Sequence, residues 1–198
     1  MRPVGEPNAR ATLGLRLPSR TVADGIVISR YRGEDLCWIT ADLVHLERIT
    51  PDAADPVAHG RVLVTASPEA RAITAAVAGR LVGFMLCLPG RASGQLDLGP
   101  VESGVSAVRS SEFTRSALRV FAPVVAPAAA NLGVGELLLD AARREWPDGR
   151  IFAVLPGGHP GNRLARASGW HEVLRGRSGM QLLLHPGHPA LQTILLQA

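Results

Sequence analysis

The stretch "NLGVGELLLDAARREW", Asn131–Trp146, decides how this chain of 198 residues is read. Gly133 and Gly135 stand at its head, and Val134, Leu137, Leu138, Ala141 and Ala142 recur at helical spacing to give one apolar face. Asp140 precedes Arg143 and Arg144 by one turn, which supports the same helix, and Pro147-Asp148-Gly149 ends it. Just upstream, "ALRVFAPVVAP" (117–127) reads as a strand in which Pro123 marks an edge, a bulge or a splayed point. A strand, Gly-x-Gly and a helix can hold a phosphate, because the first helical turn presents unpartnered N–H groups at the positive end of the dipole. Glycine lets the anion approach that backbone with no Cβ in the way. The same glycines can also be nothing more than a turn.

Three phosphate ligands compete for such a site. A dinucleotide fold needs a third glycine, where Leu138 stands, and an acid about 20 residues on, where Leu155 and Pro156 stand. A nucleoside triphosphate loop of the Walker type needs a lysine. The chain has none: all 21 of its basic residues are arginine. That absence also excludes Schiff-base and pyridoxal-phosphate chemistry. The remaining common ligand is the pyrophosphate of coenzyme A.

The rest of the chain is consistent with one domain. Apolar residues make up 46%, and with so few aromatics the core rests on Leu, Val, Ile and Ala. Residues 1–22 read as a weakly ordered extension, and 23–198 as a single domain. "GIVISRY" (25–31) alternates as a strand does, and "EDLCWITADLVHLERI" (34–49) carries a helical stripe at 36, 39, 43 and 46. "TPDAADPVAHG" (50–60) is a connection, and "RVLVTASPEAR" (61–71) a short strand or turn. "AITAAVAGRLVGFMLCLPG" (72–90) is a hairpin about Gly79-Arg80. Residues 90–112 form a long Gly/Ser-rich loop, of the kind that carries function or disorder. After the central helix come a strand "RIFAVL" (150–155), a loop, a short helix (162–168) and a hairpin across "RGRSG". "ALQTILLQA" is a final strand or helix. The order predicts an α/β (α+β) domain with a central mixed β-sheet flanked by helices.

Cys37 and Cys87 have neither a disulfide framework nor zinc spacing. No metal is expected: His185 and His188 in "HPGHP" resemble a metal site only in outline and read as a turn. With no signal-like segment and no apolar run near the roughly 20 residues of a membrane span, a soluble cytoplasmic protein is expected.

Around the glycines the sequence resembles the GNAT superfamily of N-acetyltransferases. Its motif is an apolar strand ending in Val-x-Pro, here Val125-Ala126-Pro127, then Arg/Gln-x-x-Gly-x-Gly opening a helix, here Ala130 to Gly135. "IFAVLPGGHPGNRLARASGW" is similar to the family's next strand, Asn-containing loop, short helix and Gly-aromatic pair, Gly169-Trp170. Gly83 takes the glycine position of the family's second hairpin strand. The likeness covers roughly 25–185, most specifically 118–170.

The resemblance implies a sheet splayed at the strand before the glycines, with acetyl-CoA or another acyl-CoA as co-substrate. Val125 and Ala126 would pair with the pantetheine arm. Asn131 and the amides of Leu132, Gly133, Val134 and Gly135 would cradle the pyrophosphate, with Asn162 joining the cofactor contacts. The activity implied is transfer of an acyl group to the amine of a small molecule by direct attack, in a monomer or homodimer. The basic "RGRSG" favours an acceptor carrying an anionic group.

Several family residues are replaced. Ala130 stands for the motif's Arg/Gln, a loss of about 1.5–3 kcal/mol in charge-assisted hydrogen bonding, or roughly tenfold to a hundredfold in affinity. Arg163 and Arg166 are the compensating candidates. Ala165 stands for the frequent tyrosine acid, Tyr31 lies on another element, and 120–125 hold no glutamate. Glu112 and His159 are then the candidate catalytic groups, acting directly or through water. These losses keep open a catalytically degenerate acyl-CoA-binding module. A more distant alternative is a nucleic-acid binder using the arginines of 163–177 with Trp170.

Overall fold

The computed structural model describes residues 20–23, 25–50, 68–90, 116–176 and 179–195. Its spine is the hairpin of β3 (Arg71–Val77) and β4 (Arg80–Pro89). Ala78 and Gly79 join the strands with φ of 48° and 78°, the two positive values that match a two-residue turn to strand twist. Outward from β3 lie β2 (Ile26–Arg32) and β1 (Arg20–Ala23), all antiparallel. Residues 20–22, which the sequence assigns to the extension, therefore pair into the sheet.

On the other side, β4 pairs antiparallel with β5 (Leu118–Val120), and β5 pairs parallel with β7 (Ile151–Pro156). The sheet closes with β9 (Met180–Leu184) and then β8 (His171–Arg175), the expected hairpin. A two-residue strand, β6 (Val124–Val125), pairs with β4 alone. The mixed sheet thus has the expected class and order.

Helix α2 (Val134–Glu145) packs on β3, β4 and β6, with α3 (Pro160–Ala167) beside it. Leu118, Val120, Val134, Leu138, Ala142 and Trp170 belong to one apolar cluster on this face. The opposite face is divided. Helix α1 (Thr40–Ile49) covers Phe84, Leu86, Leu88, Phe121 and Val124 with Leu43 and Leu46. Helix α4 (Ala190–Leu195) contributes Ala190 and Leu191 to a separate cluster with Phe152, Val154, Leu182 and Leu184.

Two expectations change in detail. The stripe at 34–49 is not one helix: a 3-10 segment, Gly33–Trp38, breaks at Ile39 before α1 begins. Leu36, Leu43 and Leu46 are buried, whereas Trp38 is exposed. The strand at 117–127 is split into β5 and β6, because Pro123 cannot donate to a ladder. Val120 pairs with Cys87 and Val124 with Phe84, so four steps on one strand span three on its partner, the signature of a bulge. Residues 51–67, 91–115, 177–178 and 196–198 lie outside the described ones, and with them much of the Gly/Ser loop and parts of "RGRSG" and the tail.

Candidate active site

The bulge opens the sheet. Beyond Val120 and Ala153 the parallel pairing of β5 with β7 stops, and β6 stays on β4 while β7 continues to Pro156. Ala126 donates its N–H to Val82 O (2.8 Å) and accepts from Ala129 N–H (2.8 Å). Antiparallel alternation then turns the N–H and C=O of Val125 away from β4, into the opening toward β7. Of the two residues expected to offer backbone there, Val125 does so and Ala126 is already engaged.

Helix α2 starts beside this opening. Its first backbone bond runs from Leu137 N–H to Gly133 O (3.0 Å), and no side chain caps it. The amides of Gly133, Val134, Gly135 and Glu136 therefore have no intramolecular partner among the described residues. The two glycines serve different ends. Gly133 has φ of 66°, a left-handed conformation that side chains resist, with only Glu136 Oε2 near its missing Cβ. Gly135 is a close approach: an added Cβ would lie 2.8 Å from Leu164 Cδ2 of α3. Asn131 and Leu132 are exposed on the turn before the helix.

Helix α3 abuts the bulge from the same side, since a Cβ at Gly161 would lie 3.0 Å from Ala122 Cβ. Asn162 on its first turn is 3% exposed; its Nδ2 donates to Pro156 O, while its Oδ1 is buried with no partner among the described residues. His159 is the N-cap, its Nδ1 accepting from Gly161 N–H (2.9 Å). That bond occupies the lone pair a general base would use. A neutral His159 therefore carries its proton on Nε2 and acts as a donor. Glu112 lies outside the described residues.

Other sequence candidates have structural employment. Arg166 and Arg175 both bind Glu172, and their hydrogen bonds hold its carboxyl below the usual carboxylate range. Arg163 stays exposed. Trp170 is 6% exposed, packed in the core with its ring edge-on to His185, so it cannot stack on a base. His185 and His188 cap their own turn, accepting from Gly187 N–H and Ala190 N–H. Among the described residues no three His, Cys, Asp or Glu side chains gather as metal ligands, and no helix is long and apolar enough to cross a membrane.

The structure adds a residue that the sequence reading passed over. Arg119 on β5 points to the α1 and α4 face, since its neighbours Leu118 and Val120 lie in the cluster under α2 and side chains alternate along a strand. Its guanidinium lies 4.7 Å over the Phe121 ring. Its Nε is buried with no partner among the described residues, and burial lowers its pKa. The only sequence signal was a lone charge in an otherwise apolar strand.

No family model matches the sequence, and no curated relative does either. Solved structures do share its fold. An acetyltransferase from Thermus thermophilus aligns with a TM-score of 0.55 at 14% identity, over 81% of this chain and 96% of that one. An aminoglycoside 6'-acetyltransferase type Ii gives 0.51 at 17%, over 82% and 97%. A GNAT-family protein from Desulfovibrio desulfuricans gives 0.51 at 12%, over 81% and 96%. The split sheet with a glycine-headed helix at its opening is thus the fold of the GNAT acetyltransferases.

Proposed function

We propose that this protein transfers an acetyl or other acyl group from an acyl-CoA thioester to the amine of a small molecule. The observation that carries the reading is the pairing of two unsatisfied backbone sets at one opening: Val125 on the split strand, and the first-turn amides of α2. The thioester arm fits the gap between β6 and β7 as a missing strand, hydrogen-bonded to Val125 N–H and C=O. Its pyrophosphate meets the amides of Gly133 to Glu136 at the positive end of the helix. Asn162 Oδ1, buried and without a partner among the described residues, suits an amide N–H of the arm.

In this arrangement the neutral amine attacks the acyl carbonyl, and a tetrahedral oxyanion forms beside the opening. A backbone N–H fixed in place stabilises that charge without reorganising. The carbon–sulfur bond then breaks and the thiolate needs a proton. The amine's own proton meets that need, since a neutral imidazole held by its cap as Nε2–H gives up no proton near neutral pH; His159 fits the role of hydrogen-bond donor better than that of base. Removal of the amine's proton falls to Glu112 or to water.

Acetyl-CoA binding by calorimetry, run beside free-thiol release over a panel of amines, tests the proposal. Binding with thiol release on at least one amine supports it. Binding with no release on any amine supports the second reading, an acyl-CoA-binding module, which Ala130 and Ala165 favour. No binding of any acyl-CoA refutes both.

A further inference from the structure

At the C-terminal end of α2, away from the glycines, the fold leaves a recess of about 350 Å³, within the range of small-molecule sites. Helix α2 has 12 residues, about 18 Å at 1.5 Å each, so a molecule held here lies well away from the first turn of that helix. It is a second ligand, and its binding does not depend on the acyl-transfer reading.

The polar wall is built by the sheet. Arg32 of β2 and Arg71 of β3 are direct cross-strand partners, so their side chains leave the same face side by side, where like charges repel. Glu145, the last residue of α2, binds one nitrogen of each through Oε2, and Arg30 takes its Oε1 (3.0 Å). A guanidinium carries five N–H donors in a fixed fork, so a single nitrogen bound to Glu145 leaves both forks able to take a further acceptor. Arg71 is half-buried, and its pKa is lowered by that burial and then by the charge of Arg32, against the pull of Glu145 and Glu69. Arg32 has 59% of its side chain exposed, and both arginines line the recess.

The other walls suit an apolar body. The Trp146 ring, with the Arg71 guanidinium 4.8 Å from its centroid, borders the recess together with Pro68 and Pro89. Ser116 Oγ accepts from Arg150 Nη1 (3.1 Å), which leaves its O–H to donate. Glu69 also lines the recess, and its charge disfavours a ligand with a second anionic group.

We propose that this recess binds a small monocarboxylate with a flat apolar body, the carboxylate bridging Arg32 and Arg71 and the body lying against Trp146 and the prolines. The two forks supply charge-assisted hydrogen bonds, and the ligand's charge relieves the repulsion between the opposed arginines. The indole supplies apolar area and a face for stacking.

Benzoate is the probe. Titrated into the labelled full chain, it should shift the Trp146 indole N–H saturably, the signal being assigned by its loss in Trp146→Phe. Benzamide has the same shape without the charge and should bind about tenfold to a hundredfold more weakly, the worth of a charge-assisted contact. Inorganic phosphate, which has charge without a body, and terephthalate, which brings a second carboxylate toward Glu69, should both bind more weakly than benzoate. Arg32→Gln changes an exposed ion pair of small worth, so the variant should fold and lose benzoate affinity by a similar factor; Arg32→Lys should keep part of it. Saturating acetyl-CoA should leave the benzoate shift in place. Equal binding of benzamide or inorganic phosphate, an unchanged benzoate affinity in Arg32→Gln, displacement of benzoate by acetyl-CoA, or no saturable shift at Trp146 would each overturn the proposal.

Discussion

Gly83→Ala probes the join between the sheet and α2. An added Cβ would lie 2.6 Å from Val134 Cγ1, 3.3 Å from Val124 O and 3.4 Å from Leu138 Cδ1. Carbon atoms settle at about 3.5–4.0 Å, so the overlap with Val134 is on the order of 1 Å. Val134 cannot swing clear: it is 1% exposed, and a β-branched side chain in a helix keeps essentially one rotamer. The first turn of α2 must lift instead. Overpacking of this kind costs about 1–3 kcal/mol, against a gain of about 0.5–1 kcal/mol from removing a glycine in a strand. A net loss of about 1–2 kcal/mol is expected in urea unfolding, with the midpoint lowered and the slope unchanged. Val134→Ala removes the obstructing methyl groups, so in the double variant Gly83→Ala costs about 1 kcal/mol less than it does alone. Acetyl-CoA binding should weaken in the single variant and recover in the double one. Gly83→Ala with wild-type stability and no coupling to Val134→Ala would refute the packing argument.

The remaining predictions concern other parts of the fold. Glu145 accepts from Arg30 (3.0 Å) and binds Arg32 and Arg71, so Glu145→Gln leaves three arginines facing one another. It should cost about 3 kcal/mol, read by urea unfolding. Burial pushes the Cys87 thiol up to about 12. Because this pKa is raised above that of the unfolded chain, the stability it confers is complete below the unfolded thiol's pKa, about 8.5. That stability is lost as pH rises through about 12, and Cys87→Ala should flatten this part of the pH–stability curve. At neutral pH a thiol reagent should label exposed Cys37 in the native protein and reach Cys87 only on unfolding. His159→Ala removes the cap on Gly161 N–H and should cost about 1 kcal/mol; His159→Asn restores the cap. Stability lost in the first variant and kept in the second assigns the cost to the cap.

The hairpin of β3 and β4 was legible because Ala-Gly-Arg interrupts two apolar arms, and α2 because its stripe is regular along the whole helix. Pro123 announced a break in its strand, since a residue without N–H cannot sustain a ladder. What a sequence could not reveal was which side each freed group would face. That Ala126 is bound while Val125 is open depends on register with Val82 and Gly83. The role of Gly135 depends on Leu164, far along the chain and on another helix. His159 could be picked out as a histidine in the right loop, but its cap on Gly161 fixes the proton's place. Arg119 escaped notice because charge in a strand is ordinary; its seat over the Phe121 ring shows only once neighbouring strands and both apolar clusters are placed. The break at Ile39 was hidden for a related reason, as apolar spacing cannot tell a 3-10 turn from the α-helix that follows it.

The central claim is that the start of α2 receives the pyrophosphate of an acyl-CoA. Backbone amide NMR of the labelled protein, titrated with acetyl-CoA, reads this directly. Saturable shifts concentrated at Gly133, Val134, Gly135 and Glu136, with a further shift at Val125, are predicted. Amides at these positions that stay unmoved at saturating acetyl-CoA would contradict it.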